Sequence, residues 1–115
     1  MPSLVERFLP IALLLGSNLF MTVAWYGHLK YKTAPMFGVI VISWGIAFFE
    51  YCLQVPANRW GSDVYSAPQL KGMQEVITLL VFAAFSTFYL GQSLKWNHWA
   101  GFALIAVAAW LIFLE

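Results

Sequence analysis

The sequence predicts an all-α integral membrane protein, a bundle of four transmembrane helices forming a single domain over 1–115. Two observations carry this. The chain is 62% hydrophobic and only 10% charged, with a mean hydropathy of +0.76, whereas a soluble domain carries about 25% charged residues. Its apolar residues also fall into four runs of the length that a hydrocarbon core of about 30 Å demands of a helix, and little chain remains outside them.

The first run, 8–27, from Phe8 to Gly27, holds no Asp, Glu, Lys, Arg or His. Read as a cleaved signal peptide it is too long, since such apolar stretches run to about 7–15 residues, and no A-x-A-like site follows it. His28, Lys30 and Lys32 before Pro35 form a basic hairpin, because the residue before a proline is biased away from helix. The second helix is expected over 35–55, interrupted by Glu50, and the segment from Pro56 to about Tyr65 reads as the one sizeable loop. Ser66-Ala67-Pro68-Gln69 then matches an S-x-x-Q capping box with proline in the first turn, which starts a third helix expected over 69–91. After a tight turn from Gln92 to Lys95, the fourth is expected over 96–114. Beyond Asn97 and His98 it has no polar side chain, and Gly101, Ala108 and Ala109 give it a small-residue side suited to close packing or dimerisation in lipid. Trp25, Tyr26, Trp60, Trp96, Trp99 and Trp110 fall near expected helix ends, where amphipathic rings favour the headgroup region.

Charge excludes several functions. The formal net charge is +1, so there is no basic surface for nucleic acid. The lone Cys52 excludes an internal disulfide and a multi-cysteine metal site. His28 and His98 read as surface imidazoles, and neither a metal nor any other cofactor is expected. No nucleophile and base stand at recognisable spacing, which argues against an enzyme. Arg7, Arg59 and Lys71 fall on one side of the membrane, and Lys30, Lys32 and Lys95 on the other. The positive-inside rule is therefore tied, a pattern that permits insertion both ways and an antiparallel homodimer, unless the amino terminus or the translocation machinery breaks the tie.

Three helices carry polar stripes. Ser43, Ala47, Glu50 and Gln54 recur at helical spacing on the second, Lys71, Glu75, Thr78, Phe82, Ser86 and Tyr89 on the third, and Asn18, Thr22 and Trp25 or Tyr26 on the first. A charge at mid-bilayer costs roughly 2.5–3.5 kcal/mol on insertion scales, so Glu50 and Glu75 are expected to face a protein interior. Burial makes a carboxylate hold its proton more tightly, and such a group can exchange that proton for a substrate. Glu75 has a second reading, an intrahelical pair with Lys71. For Glu50 the second reading is a structural hydrogen bond or ion pair across the bundle. The candidate substrate-binding or proton-coupling residues are thus Glu50, Glu75, Asn18, Thr22, Gln54, Trp25 and Tyr26.

The four-helix plan, with its basic turn and the run Tyr89-Leu90-Gly91-Gln92-Ser93-Leu94 before a Gly101-containing last helix, resembles the small multidrug resistance proteins. The chain is still more similar to an uncharacterised four-helix branch of the drug/metabolite transporter (DMT) superfamily. That likeness rests on Asn18-Leu19-Phe20-Met21-Thr22, Ala24 to Lys30, Ser43 to Tyr51, Gln54 to Arg59, and Gln74-Glu75-Val76-Ile77-Thr78. It implies a multi-pass protein of the inner (plasma) membrane that works as an antiparallel homodimer and moves a small molecule by alternating access. One departure matters. Small multidrug resistance proteins depend on a glutamate in the first helix, where this chain has Asn18 and Thr22, so proton coupling here would have to use Glu50 or Glu75. The alternative function is a non-transporting membrane assembly protein whose polar stripes bind another protein's helices.

Overall fold

The computed structural model describes residues 3–114. Four helices follow one another: α1 (Leu4–Tyr26), α2 (Met36–Gly61), α3 (Ala67–Phe88) and α4 (Trp96–Ile112), with a short 3-10 turn at Gly27–Lys30 after α1. No strand is present among the described residues. Three helices are long and apolar enough to cross a membrane. The fourth has 17 residues, the lower limit of the usual range for a spanning helix.

Each end has a local cause. α1 starts at Leu4, earlier than the expected Phe8, because Ser3 and Glu6 cap it: the Ser3 hydroxyl accepts from the Glu6 backbone N–H at 3.2 Å. α3 opens on the expected capping box. Ser66 Oγ accepts from the Gln69 N–H at 3.2 Å, and the Gln69 side chain accepts from the Ser66 N–H at 3.0 Å. α3 ends at Phe88 rather than residue 91, where Gly91 turns the chain with a φ of +70°, a conformation that favours glycine.

The largest correction concerns α2, which continues through Pro56 to Gly61 where a loop was expected. An interior proline removes a backbone hydrogen bond and costs about 3 kcal/mol. Packing offsets this: Ala57 is wholly buried, and Asn58 Oδ1 accepts from Gln74 Nε2 at 2.9 Å. Gly61 meets α1 and α3 so closely that an added Cβ would lie 3.2 Å from Pro10 Cβ and 2.8 Å from Leu70 Cδ2. The connection shrinks to residues 62–66, leaving less backbone in need of hydrogen bonds that lipid cannot supply.

The helices do not close into a ring. α1 packs along α2 on one side and against α3 on the other, α4 packs on α3, and α2 barely reaches α3. The order in space is therefore α2, α1, α3, α4, in a body measuring 52 × 34 × 19 Å. The core lies on α1, where Pro10, Leu14, Ser17 and Asn18 are almost wholly buried. Their spacing of four, three and one places them on one broad side of the helix.

Candidate functional site

Two polar clusters lie on different sides of α1. The first is between α1 and α2. Glu50 is buried, with 6% of its surface exposed, about 21 Å from the Met36 end of α2 and about 16 Å from the Gly61 end at the helical rise per residue. Ser17 Oγ lies 3.3 Å from Glu50 Oε1 and 2.5 Å from Gln54 Oε1. A serine hydroxyl has one proton to give, so it cannot fully serve both acceptors. Two arrangements close the network. With Glu50 ionised, Ser17 donates to the carboxylate and the Gln54 amide turns to donate its N–H to Ser17. With Glu50 protonated, the carboxyl donates to Ser17 and Ser17 donates to Gln54. A single proton reverses the direction of the chain.

The second cluster joins α1 to α3. Thr78 Oγ1 donates to Asn18 Oδ1 at 2.5 Å, and Asn18 Nδ2 donates to the Leu14 carbonyl at 2.8 Å. Just beyond it, a cleft of about 570 Å³ opens between α1, α3 and α4. Thr22 and Thr78 lie on its polar side; Trp25, Tyr26, Phe82 and Phe102 supply aromatic walls. Tyr26 and Phe82 meet edge to face, with ring centroids 5.0 Å apart, the geometry that aromatic pairs prefer.

The candidate residues thus divide. Glu50 and Gln54 belong to the α1–α2 cluster. Asn18 belongs to the α1–α3 cluster, while Thr22, Trp25 and Tyr26 line the cleft. Glu75 joins neither, and the expectation that both carboxylates are shut away is corrected here. Its side chain is 46% exposed and holds Lys71 Nζ at 2.8 Å, one turn earlier on the same helix, where water or the lysine can satisfy it. Of the participants that escaped the list of candidate residues, two are polar, and Phe82 and Phe102 are aromatic walls of the cleft. Ser17, beside Asn18 in a helix poor in polar residues, was the available signal for the first. Thr78 stood on the third polar stripe, but only its contact with Asn18 distinguishes it from the rest of that stripe. Among the described residues no group of three histidine, cysteine or acidic side chains could hold a metal ion.

A bundle of apolar helices that hides polar side chains among its helices and holds an aromatic cleft beside them defines the class: a multi-pass membrane protein. The chain belongs to the family described as "Putative member of DMT superfamily (DUF486)", whose model matches residues 10–113. Membership in that superfamily suggests a transporter-type function. No curated protein and no solved structure matches the chain.

Proposed function

We propose that this protein is a small-molecule transporter of the inner (plasma) membrane that works as a homodimer and couples movement of its substrate to a proton on Glu50. The observation that carries the reading is the Ser17–Glu50–Gln54 cluster: a mid-depth carboxyl sharing one hydroxyl with an amide, in a network that one proton reverses. A charge at that depth costs roughly 2.5–3.5 kcal/mol on insertion scales, a cost for which a proton-exchanging role gives a reason. The substrate would occupy the cleft of Thr22, Trp25 and Tyr26. Ser17 and Asn18 are adjacent on α1, so a shift of α1 that follows protonation on its α2 side is felt on its α3 side.

The need for a second copy follows from the open order of the helices. A row in which α2 and α4 stand at opposite ends surrounds no pathway by itself, and transporters place their sites at interfaces between repeated units.

The test is transport into proteoliposomes, screened with small molecules at two pH values. Glu50→Gln keeps the shape and removes the charge. It should fold and dimerise while transport loses its dependence on pH, with a fall in rate of tenfold or more. Unchanged transport by the variant, or damage confined to folding, would make Glu50 a structural acid and end the proton-coupled reading.

A further inference from the structure

The cleft between α1, α3 and α4 also says what kind of molecule it can take. No Asp, Glu, Lys, Arg or His lines it. Several charged and titratable groups on the surrounding elements have partners of their own. On α2, Glu50 faces Ser17 across the other side of α1. On α3, Glu75 holds Lys71. At the start of α4, His98 Nδ1 accepts from the Lys95 N–H at 3.0 Å. Past the end of α1, Lys30 lies over the Tyr89 ring, 4.3 Å from its centroid.

A cation in this cleft would therefore meet aromatic faces but no counter-charge. Contact with an aromatic face recovers less than the loss of hydration around an unpaired ion costs. An anion would find no cationic side chain among the lining residues to pair with. An uncharged planar molecule loses little hydration and gains the full apolar contact of Trp25, Tyr26, Phe82 and Phe102. Thr22 and Thr78 add hydroxyls on one side. Thr78 already gives its proton to Asn18, so its oxygen is left to accept. The volume, about 570 Å³, falls in the range of small-molecule sites.

We propose that the cleft of Thr22, Trp25, Tyr26, Thr78, Phe82 and Phe102 binds uncharged planar aromatic molecules bearing a hydrogen-bond donor, and rejects ions of the same shape. This deepens the transport reading and rests on it only for the role of the cleft as substrate site.

The experiment uses the full chain in nanodiscs of zwitterionic lipid and three bicyclic probes of matched size: 2-naphthol, the cation N-methylquinolinium and the anion 2-naphthoate. Binding is measured at pH 7 by equilibrium dialysis, with uptake by empty nanodiscs subtracted. Saturable binding of 2-naphthol at least tenfold tighter than that of either ion is expected. Phe82→Ala and Phe102→Ala should each weaken it fivefold or more, and Phe82→Leu less; helical content by circular dichroism identifies any variant that fails to fold. Phe102 is on the loosely packed α4, so at least one informative variant should fold. Tighter binding of the quinolinium, or naphthol binding that ignores both phenylalanines in folded variants, overturns the proposal. So does the absence of saturable naphthol uptake. If pH-dependent transport of some other compound persists in that case, only this inference falls. If naphthol binds as expected but Glu50→Gln transports normally, only the proton coupling falls.

Discussion

α1 and α4 reverse the rule learned from soluble proteins. α4 is the most hydrophobic helix of the four, yet of its residues only Ala109 is buried, and Leu104 is 71% exposed. α1 carries Ser17, Asn18 and Thr22, and these are among the most deeply buried side chains in the protein. Lipid tails are as apolar as leucine, so nothing drives an apolar helix inward. Polar groups must find partners in protein, since hydrocarbon has none to offer. Burial in this fold therefore sorts by polarity and by close fit. α4 meets α3 beside Gly72, where a Cβ would stand in ordinary contact, 3.7 Å from Ala109 Cβ and from Ile112 Cδ1.

The contrast is sharpest with one leucine from each helix. Leu14→Ala empties a wholly buried position and should cost about 2–5 kcal/mol, whereas Leu104→Ala, on the exposed side of α4, should change stability by no more than about 0.5 kcal/mol. Reversible unfolding in mixed micelles measures both. Equal costs would mean that α4 is covered in the folded state as fully as α1.

A smaller effect tests the polar half of the argument. Thr78→Val removes the donor to Asn18 while keeping the shape, and should destabilise by about 0.6 kcal/mol and by no more than about 1.7 kcal/mol, the average and the maximum for hydrogen bonds between membrane helices. In the background of Asn18→Leu the same change should cost almost nothing, because the partner is already gone. Additive losses in the double variant would show that the two side chains act independently.

The two carboxylates extend the comparison. Glu75→Gln breaks a half-exposed pair within one helix, so a loss of at most about 0.5 kcal/mol is expected, and the pH dependence of transport should survive. A transport defect as large as that of Glu50→Gln would return Glu75 to the site.

The smallest effect lies outside the bundle, past the end of α3. The Tyr89 phenol is pushed above its ordinary value, first by its hydrogen bond to Tyr31, then by desolvation and by the charge that Tyr31 carries when ionised. Folding thus favours the neutral phenol. Its contribution is complete below the unfolded value of about 10 and is lost as pH rises through the higher folded value. The phenolate absorbance that disappears in Tyr89→Phe should titrate above pH 10, and Tyr31→Phe should bring it back down. A midpoint that Tyr31→Phe leaves in place would remove the hydrogen bond as the cause.

Composition and the lengths of the apolar runs determined that this chain lives in a membrane as helices, because hydropathy summed over a span needs no knowledge of neighbours. The cap at Ser66 and Gln69 was equally legible, since both partners lie within one turn. Glu50 could be singled out by cost, as an acid far from either end of an apolar run. The tertiary structure decided the rest. Nothing local says that Ser17 would meet Glu50 and Gln54, or that Asn18 one residue on would meet Thr78 instead, because adjacent residues point about 100° apart and only the order α2, α1, α3, α4 assigns a neighbour to each direction. The continuation of α2 past Pro56 depended in the same way on Pro10, Leu70 and Gln74, which are remote in the chain. Helical periodicity gives the angle of each side chain about its own axis, and what stands at that angle is set by helices that the local sequence does not contain.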